Sequence, residues 1–217
     1  EELGVREAMW WSPDGKKLAF YGMDDSKVQD YFLAMNVTRV QNALDVEAYP
    51  KAGAENPNVS LFVYDVASKK TQEIDLKFGD PEVGHYVYQI RWSPKGDELL
   101  YNRTNRKQNI MEFCAANPNS GTSRVVVREE WPKSWTDNSP TMRWLVDDQS
   151  FVWVSERSGF SNFYLGHIDG RALKPITSHN FEVGNIVKVD EPTKTLWYMA
   201  RDGDNPYNTY VIYGLPI

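Results

Sequence analysis

Along most of the chain, apolar and polar residues alternate in short runs rich in Val, Ile, Leu, Phe, Tyr and Trp, broken by Pro, Gly, Asp, Asn and Lys. That alternation is the period of a β-strand, whose successive side chains point to opposite faces of a sheet. One strand–turn–strand unit returns along the sequence. WWSPDGKKLAF at Trp10–Phe20 recurs as RWSPKGDELLY at Arg91–Tyr101. It recurs more loosely as RWLVDDQSFVWV at Arg143–Val154 and as VKVDEPTKTLWYM at Val187–Met199. A third strand is predicted after each unit: Asn58–Val66, Asn109–Ala115, Asn162–Ile168 and Asn208–Gly214. A fourth follows in three of the copies, at Thr71–Leu76, Ser123–Glu129 and Lys174–Ser178. The turns before it carry Asp, Asn, Gly or Ser-Lys-Lys, residues suited to tight hairpins.

Repeats of antiparallel strands on a common turn predict an all-β fold, a partial β-propeller of about four four-stranded blades, the last incomplete. The repeat marks Trp11, Trp92, Trp144 and Lys188 are 81, 52 and 44 residues apart. The expected blades are roughly 1–80, 81–130, 131–180 and 181–217, with an insertion at 22–56 in the first. The insertion holds DDSKVQDYFLAM, read as a short helix or an extra strand, and the loop YPKAGAENP. A two-sheet sandwich is the alternative, and the returning Trp-Ser-Pro turn argues against it. Trp10, Trp11, Trp92 and Trp144 are expected in the core between blades.

The 217 residues carry 24 Lys and Arg against 30 Asp and Glu, a net charge of −6. Such a surface is poorly suited to nucleic-acid phosphates, so no nucleic-acid partner is expected. A cationic ligand group suits it better. The single cysteine, Cys114, permits no internal disulfide, belongs to no Cys/His metal cluster and reads as a buried hydrophobe. No metal site or cofactor is expected, since no HExxH, Walker or GxGxxG unit occurs. Gly159-Phe160-Ser161-Asn162-Phe163 approaches a nucleophile elbow but lacks the closing Gly, and reads as a hairpin turn. His85, His167 and His179 are scattered, His85 just before a strand and His167 on one. Asp24-Asp25 and Asp147-Asp148 are expected in solvated turns. Sequons stand at Asn36, Asn58 and Asn102, of consequence only in a eukaryotic secretory pathway. No apolar run is long enough to span a bilayer, and the chain starts without Met, so it reads as a piece of a longer protein.

The chain opens on Glu1-Glu2, adjacent like charges that repel unless a cation is shared between them. Taken with Trp10-Trp11-Ser12-Pro13 and YPKAGAENP at Tyr49–Pro57, the pair makes the chain resemble the dipeptidyl peptidase IV family of prolyl-oligopeptidase-class serine peptidases. LLYNRTNRKQNIMEF at Leu99–Phe113 and FVWVSERSGFSNFYL at Phe151–Leu165 extend the resemblance over nearly the whole chain. It implies the N-terminal propeller that caps an α/β-hydrolase domain in the same parent chain. That domain, with its catalytic Ser, Asp and His, is not in this segment, which alone is expected to hydrolyse nothing.

By the same resemblance, Glu1 and Glu2 bind the free α-amino group of peptide substrates, on a short helical segment. EELGVREAM is compatible with a helical turn or two. An α-ammonium has three donors and one charge, which two converging carboxylates satisfy. Fixing the amino end at a set distance from the serine releases dipeptides, with Pro or Ala at the second position. The family's substrate-lining Phe/Arg pair has no counterpart in Lys133–Trp144, where Trp135 is the aromatic candidate. The resemblance further implies a possible homodimer and a periplasmic or otherwise extracytoplasmic location. Two other readings stay open: a scaffold for protein partners without a peptidase, and a carbohydrate-active propeller. Glycosidase carboxylates stand ~5–9.5 Å apart across the scissile bond, which adjacent Glu1 and Glu2 fit poorly.

Overall fold

A computed structural model of the chain describes residues 3–80 and 83–202, and the backbone of 211–216. The described residues form strands, turns and loops, with no helix among them. β1 (Met9–Trp11) and β2 (Lys17–Asp24) open the first sheet. The chain then leaves to form a separate hairpin, β3 (Asp30–Met35) and β4 (Ala43–Ala48), and returns as β5 (Asn58–Asp65) and β6 (Lys70–Glu73). The sheet order is β1-β2-β5-β6, with β3 and β4 paired only to each other. So the insertion is an extra hairpin and not a helix. The second sheet holds β7 (His85–Trp92), β8 (Leu99–Asn105), β9 (Ile110–Ala116) and β10 (Ser123–Glu130). The third holds β11 (Met142–Trp144), β12 (Ser150–Ser155), β13 (Asn162–His167) and β14 (Lys174–Pro175). The fourth has β15 (Val183–Asp190), β16 (Thr195–Ala200) and β17 (Val211–Pro216), the incomplete blade the repeat predicts.

The recurring turn has one physical design. In the first copy the Ser12 hydroxyl donates to Asp14 (2.7 Å) and accepts the Lys17 backbone N–H (2.9 Å). Gly15 takes φ +67° and donates to the Ser12 carbonyl (2.8 Å). The second copy repeats it: Ser93 donates to Asp97 (2.7 Å) and accepts from the Asp97 and Glu98 N–H groups (both 3.1 Å), with Gly96 at φ +73°. In the looser copies Asp148 and Lys194 take the left-handed conformation, at φ 56° and 49°. Both lie in reach of non-glycine residues at a tight turn. This is why copies without glycine still read as the same unit.

Sheets stack face to face through three cores. Leu61 and Val63 of the first sheet meet Val87, Leu99, Tyr101 and Cys114 of the second. The opposite face of the second sheet, with Leu100, Met111 and Phe113, meets Phe151 and Trp153 of the third. Val152 and Phe163, on the far face of the third, meet Leu196 and Tyr198 of the fourth. Neighbouring residues on one strand, such as Leu99 and Leu100, thus feed different cores, as the two-residue period requires. Trp10, Trp92 and Trp144 pack against these cores as expected. Trp11 does not: it is 59% exposed, on the face of the first sheet turned away from the second. Trp10 and Trp11 are adjacent on β1, so only one can face the neighbouring sheet.

Candidate functional site

Glu1 and Glu2 lie outside the described residues, which begin at Leu3. Leu3 sits in a turn, Gly4 takes φ +67°, and Gly4–Glu7 have no regular structure. A left-handed residue at this point interrupts helical hydrogen bonding, so the expected helical turns are absent from Leu3–Ala8. Leu3 and Val5 line the edge of a large cleft of about 1670 Å³ between the first two sheets. That exceeds the ~300–1,000 Å³ typical of pockets for small ligands and suits a longer, flexible one. The insertion loop supplies Glu55 and Asn56 to it, and the second sheet supplies His85, Tyr86, Arg106 and Gln108.

The walls of the cleft are cross-tied. Arg106 donates to the Ala54 carbonyl (2.8 Å), and Asn56 donates to the Tyr86 hydroxyl (3.3 Å), so the insertion loop is fastened to the second sheet. Tyr21 donates to the Val87 carbonyl (3.0 Å) and meets Trp10 edge to face at 5.1 Å. Trp92 Nε1 donates to the Trp10 carbonyl (3.0 Å), joining two copies of the repeat.

Behind the cleft stands Arg103, a buried cation on β8. It bonds Glu112 through Nε (2.8 Å) and Nη2 (2.7 Å), and donates to the Lys77 carbonyl (2.9 Å). Its guanidinium lies 4.8 Å over the Phe78 ring, which meets the His85 ring edge-on at 5.8 Å. Desolvation, followed by the positive charge of Arg103, holds His85 below its ordinary pKa of 6.5, so it is a neutral imidazole at the cleft wall. It is the first residue of β7 rather than a loop residue.

Of the other sequence-marked residues, Asn58 lines the cleft and the following do not join it. Gly159–Ser161 lie in the hairpin loop between β12 and β13, with the Phe160 carbonyl accepting from Asn162 (3.2 Å). The Ser161 hydroxyl donates to the Glu156 carboxylate only at 3.5 Å, a long contact. His167 pairs with Asp169 (3.0 Å), and the His179 ring stacks on Phe181 at 4.3 Å. Cys114 is buried, and burial pushes its thiol up to about 12, which makes it a poor nucleophile. Asn102 is buried within β8, so its sequon is closed to a glycan. Trp135 is 78% exposed. Among the described residues no group of His, Cys, Asp and Glu could hold a metal ion. The contribution of Arg103 and Arg106 has no signal in the sequence, because it depends on contacts between sheets.

Stacked four-stranded antiparallel sheets on a shared Ser-Pro turn, the last left short, define the class: a segment of β-propeller. Residues 1–213 match the family described as dipeptidyl peptidase IV (DPP IV) N-terminal region, and the chain belongs to that family. It is 28% identical over 209 residues to the dipeptidyl peptidase 4 of Trichophyton equinum, covering 92% of this chain and 27% of that protein. The dipeptidyl peptidase 4 of Trichophyton rubrum matches with the same identity and coverage. The crystal structure of Porphyromonas gingivalis dipeptidyl peptidase 4 superposes with a TM-score of 0.83 at 29% identity, over 99% of this chain and 30% of that one. The chain therefore spans less than a third of the relatives it matches.

Proposed function

We propose that this chain is the substrate-anchoring wall of a serine dipeptidyl peptidase. Glu1 and Glu2 hold the α-ammonium of a peptide at the cleft, and an α/β-hydrolase domain of the same parent chain cuts the second peptide bond. The cleft gates which peptides reach that domain. The observation that carries this reading is the position of Leu3 and Val5, the residues just after the pair, on the edge of the large cleft. Membership of the dipeptidyl peptidase IV family supports the peptidase, and the proposal includes a preference for Pro or Ala at the second position. The expected blade boundaries stand with this proposal, as does an extracytoplasmic location.

The test uses the full-length parent. A Gly-Pro arylamide is compared with its N-acetylated form, in wild type, Glu1→Ala and Glu2→Ala. Each carboxylate contributes charge-assisted hydrogen bonds of ~1.5–3 kcal/mol. Each substitution should therefore lower kcat/KM at least ~10-fold, and the blocked substrate should stay uncut. Unchanged activity in both variants would refute the anchor and favour a scaffold for protein partners.

The β3–β4 hairpin supports a second component, a homodimer. Phe32, Leu44 and Val46 share one face of the hairpin and are 63%, 65% and 47% exposed. An isolated two-stranded ribbon is marginal in water and gains from a partner.

A further inference from the structure

A second cavity, of about 430 Å³, opens between the edge strands β7 and β11. Gln89, Arg91, Asn102, Met142, Trp144 and Trp153 line it. Three features set it apart. The β7–β8 register shifts between Tyr88 and Arg91, and Gln89 stands at φ 52° within the shift. The other left-handed non-glycine residues described sit in hairpin loops. A strained residue inside a strand persists where the surroundings hold it, commonly at binding sites.

The second feature is an orphaned acceptor. Asn102 is 1% exposed and donates to the Gln89 side chain (2.8 Å), which donates on to Ser139 (2.9 Å). Its Oδ1 is buried with no hydrogen-bond partner. A buried acceptor of this kind is destabilising until a donor reaches it.

The third is an uncompensated cation. Arg91 donates to the Gln89 carbonyl (2.9 Å) and to Met142 Sδ (3.5 Å), and lies 4.8 Å over the Phe113 ring. It has no carboxylate partner among the described residues. Desolvation lowers it to about 10, so it stays charged at neutral pH.

We propose that this cavity binds the free carboxyl end of an apolar amino acid or short peptide. The carboxylate lies on the Arg91 guanidinium, the adjacent N–H donates to Asn102 Oδ1, and the apolar side chain rests among Trp144, Trp153 and Met142. A guanidinium fork matches a carboxylate, and one cation in a chain of net negative charge does not suit a polyanion. The volume falls in the range of small-ligand sites. The site uses neither Glu1 nor Glu2, so it stands or falls independently of the amino-end anchor.

The probe is N-acetyl-L-leucine, compared with N-acetyl-L-leucinamide by calorimetry on the full-length protein and by Trp fluorescence. The acid is expected to bind, and the amide at least ~10-fold more weakly. Arg91→Met keeps an apolar stem over Phe113 and should abolish binding of the acid. Equal binding of acid and amide, no binding of the acid up to about 50 mM, or full affinity in Arg91→Met would each overturn the proposal. Should Arg91→Met not fold, the acid–amide comparison on wild type decides.

Discussion

At the scale of single residues, the buried ion pair of Arg103 and Glu112 has the largest stake. Glu112 also meets Arg128 (2.6 Å), and its side chain is only 5% exposed. Replacing Arg103 with Met removes a bidentate partner, frees the Lys77 carbonyl and leaves Glu112 to one surface arginine. The expected loss is ~3–5 kcal/mol in urea unfolding, because one half of a buried pair is left behind. Adding Glu112→Gln should recover part of it, and additive losses would show that the two do not act as a pair. The histidines set a pH dependence. Desolvation lowers both His85 and His179 below 6.5, so the unfolded chain binds their protons more readily than the folded one. Their contribution is present above pH 6.5 and is lost as pH falls below it. Asp65, bonded to Lys17 (2.6 Å), is held below its ordinary 3.8, so its contribution disappears as pH falls below that value. Melting temperature should therefore fall in two stages on acidification. His85→Asn should shrink the first, leaving the share of His179, and leave the second in place.

At the scale of elements, the turns explain both what the sequence revealed and what it hid. Ser12 and Ser93 each accept the N–H five residues on and each offer a carbonyl to a left-handed glycine, because Ser-Pro-x-Gly supplies a hydroxyl, a fixed φ and a glycine in the same order. That chemistry is local, so the blades are readable from the chain alone. The hairpin β3–β4 is not settled by sequence, because DDSKVQDYFLAM alternates no more clearly than a helix would. β14 is shorter than its pattern suggests for a similar reason: Lys174–Ser178 looks like a strand, yet only Lys174 and Pro175 pair. Gly121 gives an element-scale test. It turns between β9 and β10 at φ +75°, its carbonyl accepts from Asp75 (2.8 Å), and an added Cβ would lie 2.1 Å from the Glu73 carbonyl oxygen. Gly121→Ala should cost at least ~1–2 kcal/mol from backbone conformation alone, and more from the clash with the first sheet. An unchanged urea midpoint would mean that this turn does not clamp the sheets. For the hairpin, Phe32→Asp should shift the full-length parent toward monomer in sedimentation without lowering its melting temperature. A wild type that is monomeric at all concentrations would refute a dimer through this ribbon.

At the scale of the molecule, the candidate site is only partly legible. Glu1-Glu2 carries a reading through adjacent charge and family pattern, whereas the cleft and the Arg91 cavity arise between sheets, where no spacing along the chain announces them. Gln89 in particular looks like an ordinary strand residue until the register shift of β7 is seen. The order of strands within each sheet has one more consequence, and it concerns time. In the second and third sheets every hydrogen-bonded pair joins strands consecutive in the chain, so each closes by short connections and can zip up rapidly. The first sheet must wait. β5 can join β2 only after the whole insertion has been looped out, and the entropic toll of that closure slows the step. During synthesis the first of these four sheets to be made is thus not the first to be finished. While it waits, the unpaired edge of β2 is exposed to other nascent chains, and a chaperone that shields one region of this protein would be expected to act there.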